Sequence, residues 1–159
     1  MANTITGFTI FQTRTTISSS EMNNNFQLLK NHSPTWHKYG ISYTDFQVAG
    51  NTQTGTLFNA DPKEVIHGYM VKHGTSFEGG SITSTTFRLG TSDVRDKYVP
   101  GFSLGQTVSA AAFYLAGDFD MVSFDATTAV EWTAEAGGST LDSLAAGSLT
   151  VWVLKSIMV

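Results

Sequence analysis

From Trp36 onward, over most of the remaining chain, apolar and polar side chains follow a period of two, and this is the strongest constraint on what the chain can become. Successive side chains of a strand point to opposite faces, so such a pattern suits a sheet with one face in a core and cannot form the stripe of a helix. The segments ISYTDFQV (41–48), QTGTLFN (53–59), EVIHGYMVKH (64–73), GSITSTTFRLG (80–90), AAAFYLAG (110–117), DMVSFDA (120–126), TAVEWTAEA (128–136) and GSLTVWVLKSIMV (147–159) each read as a strand bounded by Gly, Pro, Asn or Asp. No helical pattern separates them. The expected fold is therefore all-β, an antiparallel β-sandwich, jelly-roll-like, of about eight strands, and not an α/β fold. Segments 91–109 and 137–146 are expected as long loops, the second holding a helical turn.

Composition agrees. Charged residues make up only 14% of the chain, well below the usual quarter, whereas Phe reaches 11 copies among plentiful Gly, Ser and Thr. With 159 residues and 41% hydrophobic content, a core can form without disulfides, which a chain with no cysteine could not supply.

Upstream of the alternation two different signals appear. In TITGFTIFQTRTTI (4–17), Ile5, Phe8, Ile10 and Ile17 stand among β-prone threonines, and no strand follows closely enough to pair with them. The segment is expected as an extended arm. Ser18 and Glu21 then have the spacing of a capping box, predicting a helix from about Ser19 to Asn31 that Pro34 stops. Met22, Phe26 and Leu29 share one face of it, with Leu28 beside them and Asn23, Asn24, Asn25 and Gln27 opposite. So thin a stripe on so short a helix is marginal in isolation and needs a surface to rest on. The chain thus divides into an arm and short helix (1–35) and a sandwich domain (36–159), the helix linking the two.

The last strand raises the question of what covers it. Leu149, Val151 and Val153 line one face, but Trp152 and Leu154 occupy the other, whereas an antiparallel sheet with one wet face should be polar there. Either another chain or the arm is expected to lie on Trp152 and Leu154.

Residues that could carry chemistry do not assemble by spacing. His67 and His73 lie six residues apart, roughly 20 Å along a strand, too far to share an ion, and His32 and His37 straddle a proline. Asp118, Asp120 and Asp125 fit no calcium loop and read as turn aspartates. There is no G-x-S-x-G elbow, and the glycines of EGGS and AGGST lack the lysine of a phosphate loop. The expectation is a protein that is not an enzyme and uses no cofactor or metal. Nine basic residues, scattered among thirteen acidic ones, leave no footprint for nucleic acid, and no apolar run approaches the roughly 20 residues of a membrane span. The opening residues carry no secretory pattern. Trp36, Tyr39, Tyr43 and Tyr98 are candidates for stacking on a ligand such as a sugar, against the plainer role of packing a junction.

Two phrases carry a family resemblance. VIHGYMVKHGTSFEGGSITSTTFRLGT (65–91) and LDSLAAGSLTVWVLKSI (141–157) resemble small β-sandwich virion proteins of tailed bacteriophages, and TTISSSEMNNNF (15–26) is similar to an N-terminal segment of phage structural and fibre proteins. The resemblance implies a jelly-roll-like domain, usually a homotrimer, that decorates or cements a capsid or forms part of a fibre. On that footing the chain is expected on the capsid surface of a virion assembled in the host cytoplasm, bound to the major capsid protein and to its own copies. Its interface would draw on Ile5, Phe8, Ile10, Met22, Phe26, Leu29, Trp152 and Leu154. A tail-fibre or receptor-binding protein that recognises carbohydrate is the alternative.

Overall fold

The computed structural model describes residues 19–105, 111–115 and 122–157. Among the described residues, helix α1 (Ser19–His32) is followed by nine strands: β1 (Thr35–Ser42), β2 (Thr52–Ala60), β3 (Glu64–Glu78), β4 (Ser84–Gly90), β5 (Val99–Ser103), β6 (Ala111–Leu115), β7 (Val122–Ser123), β8 (Thr128–Gly137) and β9 (Ala146–Ile157). They form two sheets, ordered β1-β9-β3-β6 with β7 also paired to β3, and β2-β8-β4-β5. All the pairings are antiparallel. The fold is the all-β sandwich that the alternation demands.

The order has a simple logic. β1 pairs with β9, β2 with β8, β3 with β6 and β4 with β5, so the chain runs as one long doubled ribbon bent between β4 and β5. Successive rungs of the ribbon fall in alternate sheets, which rolls it into a two-sheet sandwich. One consequence matters below. The consecutive strands β1 and β2 do not pair with each other, and each lies at an edge of its own sheet.

Period-two burial fills the space between the sheets. Leu149, Val151 and Val153 of β9 are buried, as are Phe87 and Leu89 of β4 and Val130, Trp132 and Ala134 of β8. Backbone hydrogen bonds tie one end of the sandwich together: Leu141 N–H donates to Gly50 O at 2.8 Å, Asp142 N–H to Val48 O at 3.0 Å and Ala145 N–H to Glu78 O at 2.8 Å. The Gln47 amide adds a fourth bond to Leu144 O at 2.9 Å.

Three expectations are corrected. The segment 41–48 is not one strand: β1 ends at Ser42, and Tyr43–Phe46 is a 3-10 turn. Ser42 N–H donates to Asp45 Oδ2 at 2.8 Å, a local bond that competes with the sheet ladder and turns the chain. Residues 91–109 are not all loop, because Val99–Ser103 forms β5; its Pro100 is tolerated at a sheet edge. Of the strand expected over 120–126, the described residues 122–126 form a strand only at Val122–Ser123. The helical turn expected within 137–146 is present as Leu141–Ser143. Helix α1 spans Ser19–His32, within one residue of the expected bounds, and ends where the residue before Pro34 is driven out of helical geometry. The arm, including Ile5, Phe8 and Ile10, and the turn residues Asp118 and Asp120 lie outside the described residues.

Candidate functional site

Only two residues, Ser33 and Pro34, join α1 to β1, so the helix is tethered against its own sheet and packs on β9. The inner face of β9 is filled by the core, and the helix therefore approaches from outside. How it docks differs from the hydrophobic pattern. Asn25 is buried (6% exposed), while Met22 and Phe26 are exposed at 46% and 61%. Since each residue advances about 100° around a helix, Phe26 points well away from the buried Asn25 side. The apolar pair expected to find a surface thus faces outward. The side chain of Leu29 is not among the described ones.

Beside the helix, the outer face of the sheet is unusually apolar. Trp36 of β1 stands opposite Leu154 of β9, and Trp152 stands opposite Lys38 on one side and Met70 of β3 on the other. Directly paired residues share a face, so Trp36, Leu154, Trp152 and Met70 lie together on it. Trp36 is 47% exposed, and Met70, Trp152 and Leu154 are half-buried. Met22 and Phe26 on α1 are further exposed apolar side chains, and isolated apolar residues are normal on a surface where several within one short helix and the sheet beside it are not.

A second feature closes the end of the sheet. Lys155 Nζ lies 2.8 Å from Glu64 Oε1 and 4.7 Å from the centre of the Phe58 ring. Glu64 Oε2 accepts from Asp61 N–H at 3.1 Å. His67 and Ser156 share a hydrogen bond of 2.8 Å next to it. Both carboxylate oxygens of Glu64 are occupied and the Lys155 ammonium is paired with one of them. His73 lies buried in the core against Phe77, far from His67 in environment as well as sequence. Among the described residues no group of three His, Cys, Asp or Glu side chains could hold a metal, and no helix is long and apolar enough to cross a membrane.

The third feature is a groove of about 460 Å³ on the side of the sandwich where β1 and β2 run past each other, lined by Lys38 to Ile41, Asp45, Gly55 to Leu57 and Trp132. Gly55 is opposite Trp132 in the β2–β8 pairing. A Cβ at position 55 would fall inside the Trp132 indole, so the absent side chain is what lets the ring lie across the strand. Nothing in the sequence pattern pointed to this groove, because it is made by two strands that never pair.

The four aromatic candidates separate clearly. Tyr98 is buried (5% exposed) and stacks on Tyr69 with ring centres 5.2 Å apart, so it belongs to the core and offers no face to a ligand. Tyr39 stacks on Phe58 at 5.2 Å, while Tyr43 is half-buried against the core. Both pack the junction. Trp36 alone keeps an accessible ring, and it shares its face with Leu154 and Trp152.

Burial raises the pKa of the Tyr69 phenol well above its usual value, with the neighbouring Tyr98 and Tyr39 adding to the effect, and burial raises Tyr98 as well. For Tyr39 burial is again the largest cause, and the nearby Lys155 ammonium partly offsets it. A phenol whose folded pKa is raised binds its proton more tightly in the folded state. Its contribution to stability is full below the unfolded value near 10 and is lost as pH rises beyond it. In an alkaline titration followed at 295 nm, part of the phenolate signal is expected to be delayed and to appear together with loss of the circular dichroism of the fold. A complete signal before any unfolding would show that these rings are reached by solvent.

No family model matches the chain, and neither does any curated protein. A solved chain described as "Cyanophage Pam1 capsid asymmetric unit" superposes on it with a TM-score of 0.56 and 18% sequence identity, over 80% of this chain and 86% of that one. The two chains share a fold. Because most of each chain is covered, the likeness extends well beyond a common hairpin.

Proposed function

We propose that this chain is a structural protein of a bacteriophage virion, a decoration or cement protein that binds the major capsid protein and its own copies on the capsid surface. The observation that carries the reading is the apolar outer sheet face of Trp36, Trp152 and Leu154, together with the exposed Met22 and Phe26 of α1, on a sandwich whose fold is shared with a chain of a phage capsid unit. A face of this kind marks a surface that is covered in use. The proposed role is binding area, which the exposed apolar side chains of α1 and β1 supply.

Self-association is part of the proposal. A short helix presenting two large apolar side chains suits a small symmetric assembly in which the same patch meets itself around an axis, and a homotrimer is the expected form. The sandwich then projects from the shell while the helix-bearing faces gather at the axis. Two measurements test this. Sedimentation of the purified 17.2 kDa chain is expected to give the mass of three copies. Electron microscopy of virions bearing a labelled chain is expected to place it on the head. Density on the tail supports a fibre or receptor-binding role instead, and a monomer at every concentration removes the assembly reading.

A further inference from the structure

We propose that the groove between β1 and β2 is a socket for residues 4–17 of a second copy of this chain, which add to the edge of β1 as a further strand with Phe8 and Ile10 turned in over Leu57 and Trp132. The inference rests on the assembly reading above and names the contact that locks the assembly.

The socket supplies what an added strand needs. β1 pairs with β9 along its length, so its backbone from Lys38 to Ser42 has its other side toward the groove, and alternate N–H and C=O groups there point away from β9. Strand addition at such an edge takes its affinity from main-chain hydrogen bonds and its selectivity from pockets for alternate side chains. Leu57 and Trp132 are the apolar residues of the lining that lie across from β1, and Gly40 leaves room beside them: a Cβ at position 40 would meet nothing within 4 Å.

Segment 4–17 has the matching chemistry. It is rich in threonine and isoleucine, it has no proline, and Phe8 and Ile10 are two residues apart and so fall on one side of a strand. Charge points the same way. The stretch 1–18 contains Arg14 and no acid, which leaves the other 141 residues with eight basic against thirteen acidic side chains, a net of -5. Asp45 stands at the rim of the groove.

Length permits exchange between copies. Fourteen extended residues reach about 46 Å, whereas the eight residues of β1 need only about 26 Å, leaving about 20 Å to cross to a neighbour. The root of the segment, Ser19, is the first residue of the helix that carries Met22 and Phe26. Copies that meet through those residues bring one copy's segment up to the next copy's β1, which adjoins the same face.

The test uses the full chain and exploits its lack of cysteine. Gly40→Cys, where the new side chain has space, is combined with single cysteines at Thr6, Thr9 or Gln12 and mildly oxidised. At least one pair is expected to give covalent multimers on a non-reducing gel. A control partner at Ser92, on the turn after β4 at the opposite edge of the sandwich, is expected to give none. Hydrogen exchange provides an independent readout: amides of residues 38–42 are expected to exchange at least tenfold faster in the Phe8→Pro, Ile10→Pro double variant, which cannot complete a ladder. Cross-links confined to single chains, or no cross-link together with unchanged exchange, overturn the socket. Sedimentation run in parallel separates the two ideas. A trimer without cross-links loses the socket and keeps the assembly, and a monomer loses both.

Discussion

Replacing Phe46 by alanine is expected to destabilise the isolated chain by about 3–5 kcal/mol, the cost of deleting a fully buried ring in a site that cannot collapse around the loss. Phe46 is completely buried, with ring centres 5.0 Å from Phe77 of β3 and 5.0 Å from Trp132 of β8. It therefore joins the two sheets from the short turn between β1 and β2. The turn is also held by the Gln47 amide on Leu144 O, so loosening Phe46 puts the β8–β9 loop at risk as well. Domains of this size are stable by only about 5–15 kcal/mol, so this one substitution removes a large share of the total. Urea denaturation is the measurement, with the midpoint falling steeply at an unchanged slope. Phe26→Ala on the exposed side of α1 is the control and is expected to change stability by less than about 0.5 kcal/mol. If the two variants unfold alike, the three-ring contact does not bridge the sheets.

Phe46 also shows where the sequence was legible and where it was not. Alternation reports burial on one face, and it found β2, β3, β4, β8 and β9 because each of them buries one. It read Phe46 as part of a strand for the same reason, since the residue is buried. What removed it from the strand was the Ser42–Asp45 hydrogen bond, a local preference that a period of two does not register. β5 was hidden for the converse reason. Pro100 and Gly101 look like a turn, but an edge strand has a free side on which a missing N–H costs nothing, and only the sheet order shows that β5 is at an edge.

The interaction surface divides along the same line. Trp152 and Leu154 were readable because both faces of β9 are apolar, a property of one strand. The docking of α1 was not, because the hydrophobic pattern assumes that the helix turns its apolar side inward. Here the two-residue link at Ser33 and Pro34 fixes how the helix approaches β9, and Asn25 is buried in place of Phe26. A tether that short constrains rotation before side-chain preference acts. The groove between β1 and β2 was beyond any single-segment reading, since it exists only because a rolled ribbon puts consecutive strands in different sheets.

That outward rotation gives the second large effect. Met22→Gln combined with Phe26→Gln is expected to raise the dissociation constant of the homo-oligomer by roughly 30- to 700-fold, which corresponds to about 2–4 kcal/mol for the loss of central apolar anchors. Glutamine is nearly as good a helix former as methionine, so the helix itself should be unaffected. Both side chains are exposed in the single chain, Met22 by 46% and Phe26 by 61%, so its unfolding midpoint at low concentration should stay where it is. The pairing of those two readouts is what makes the measurement decisive. A core role for Met22 and Phe26 would lower stability and association together, whereas an interface role lowers association alone. If sedimentation shows the oligomer intact and stability is unchanged, these side chains face solvent in the assembly, and the copies must be held by the remaining apolar face around Trp36, Trp152 and Leu154 or by the strand added at β1.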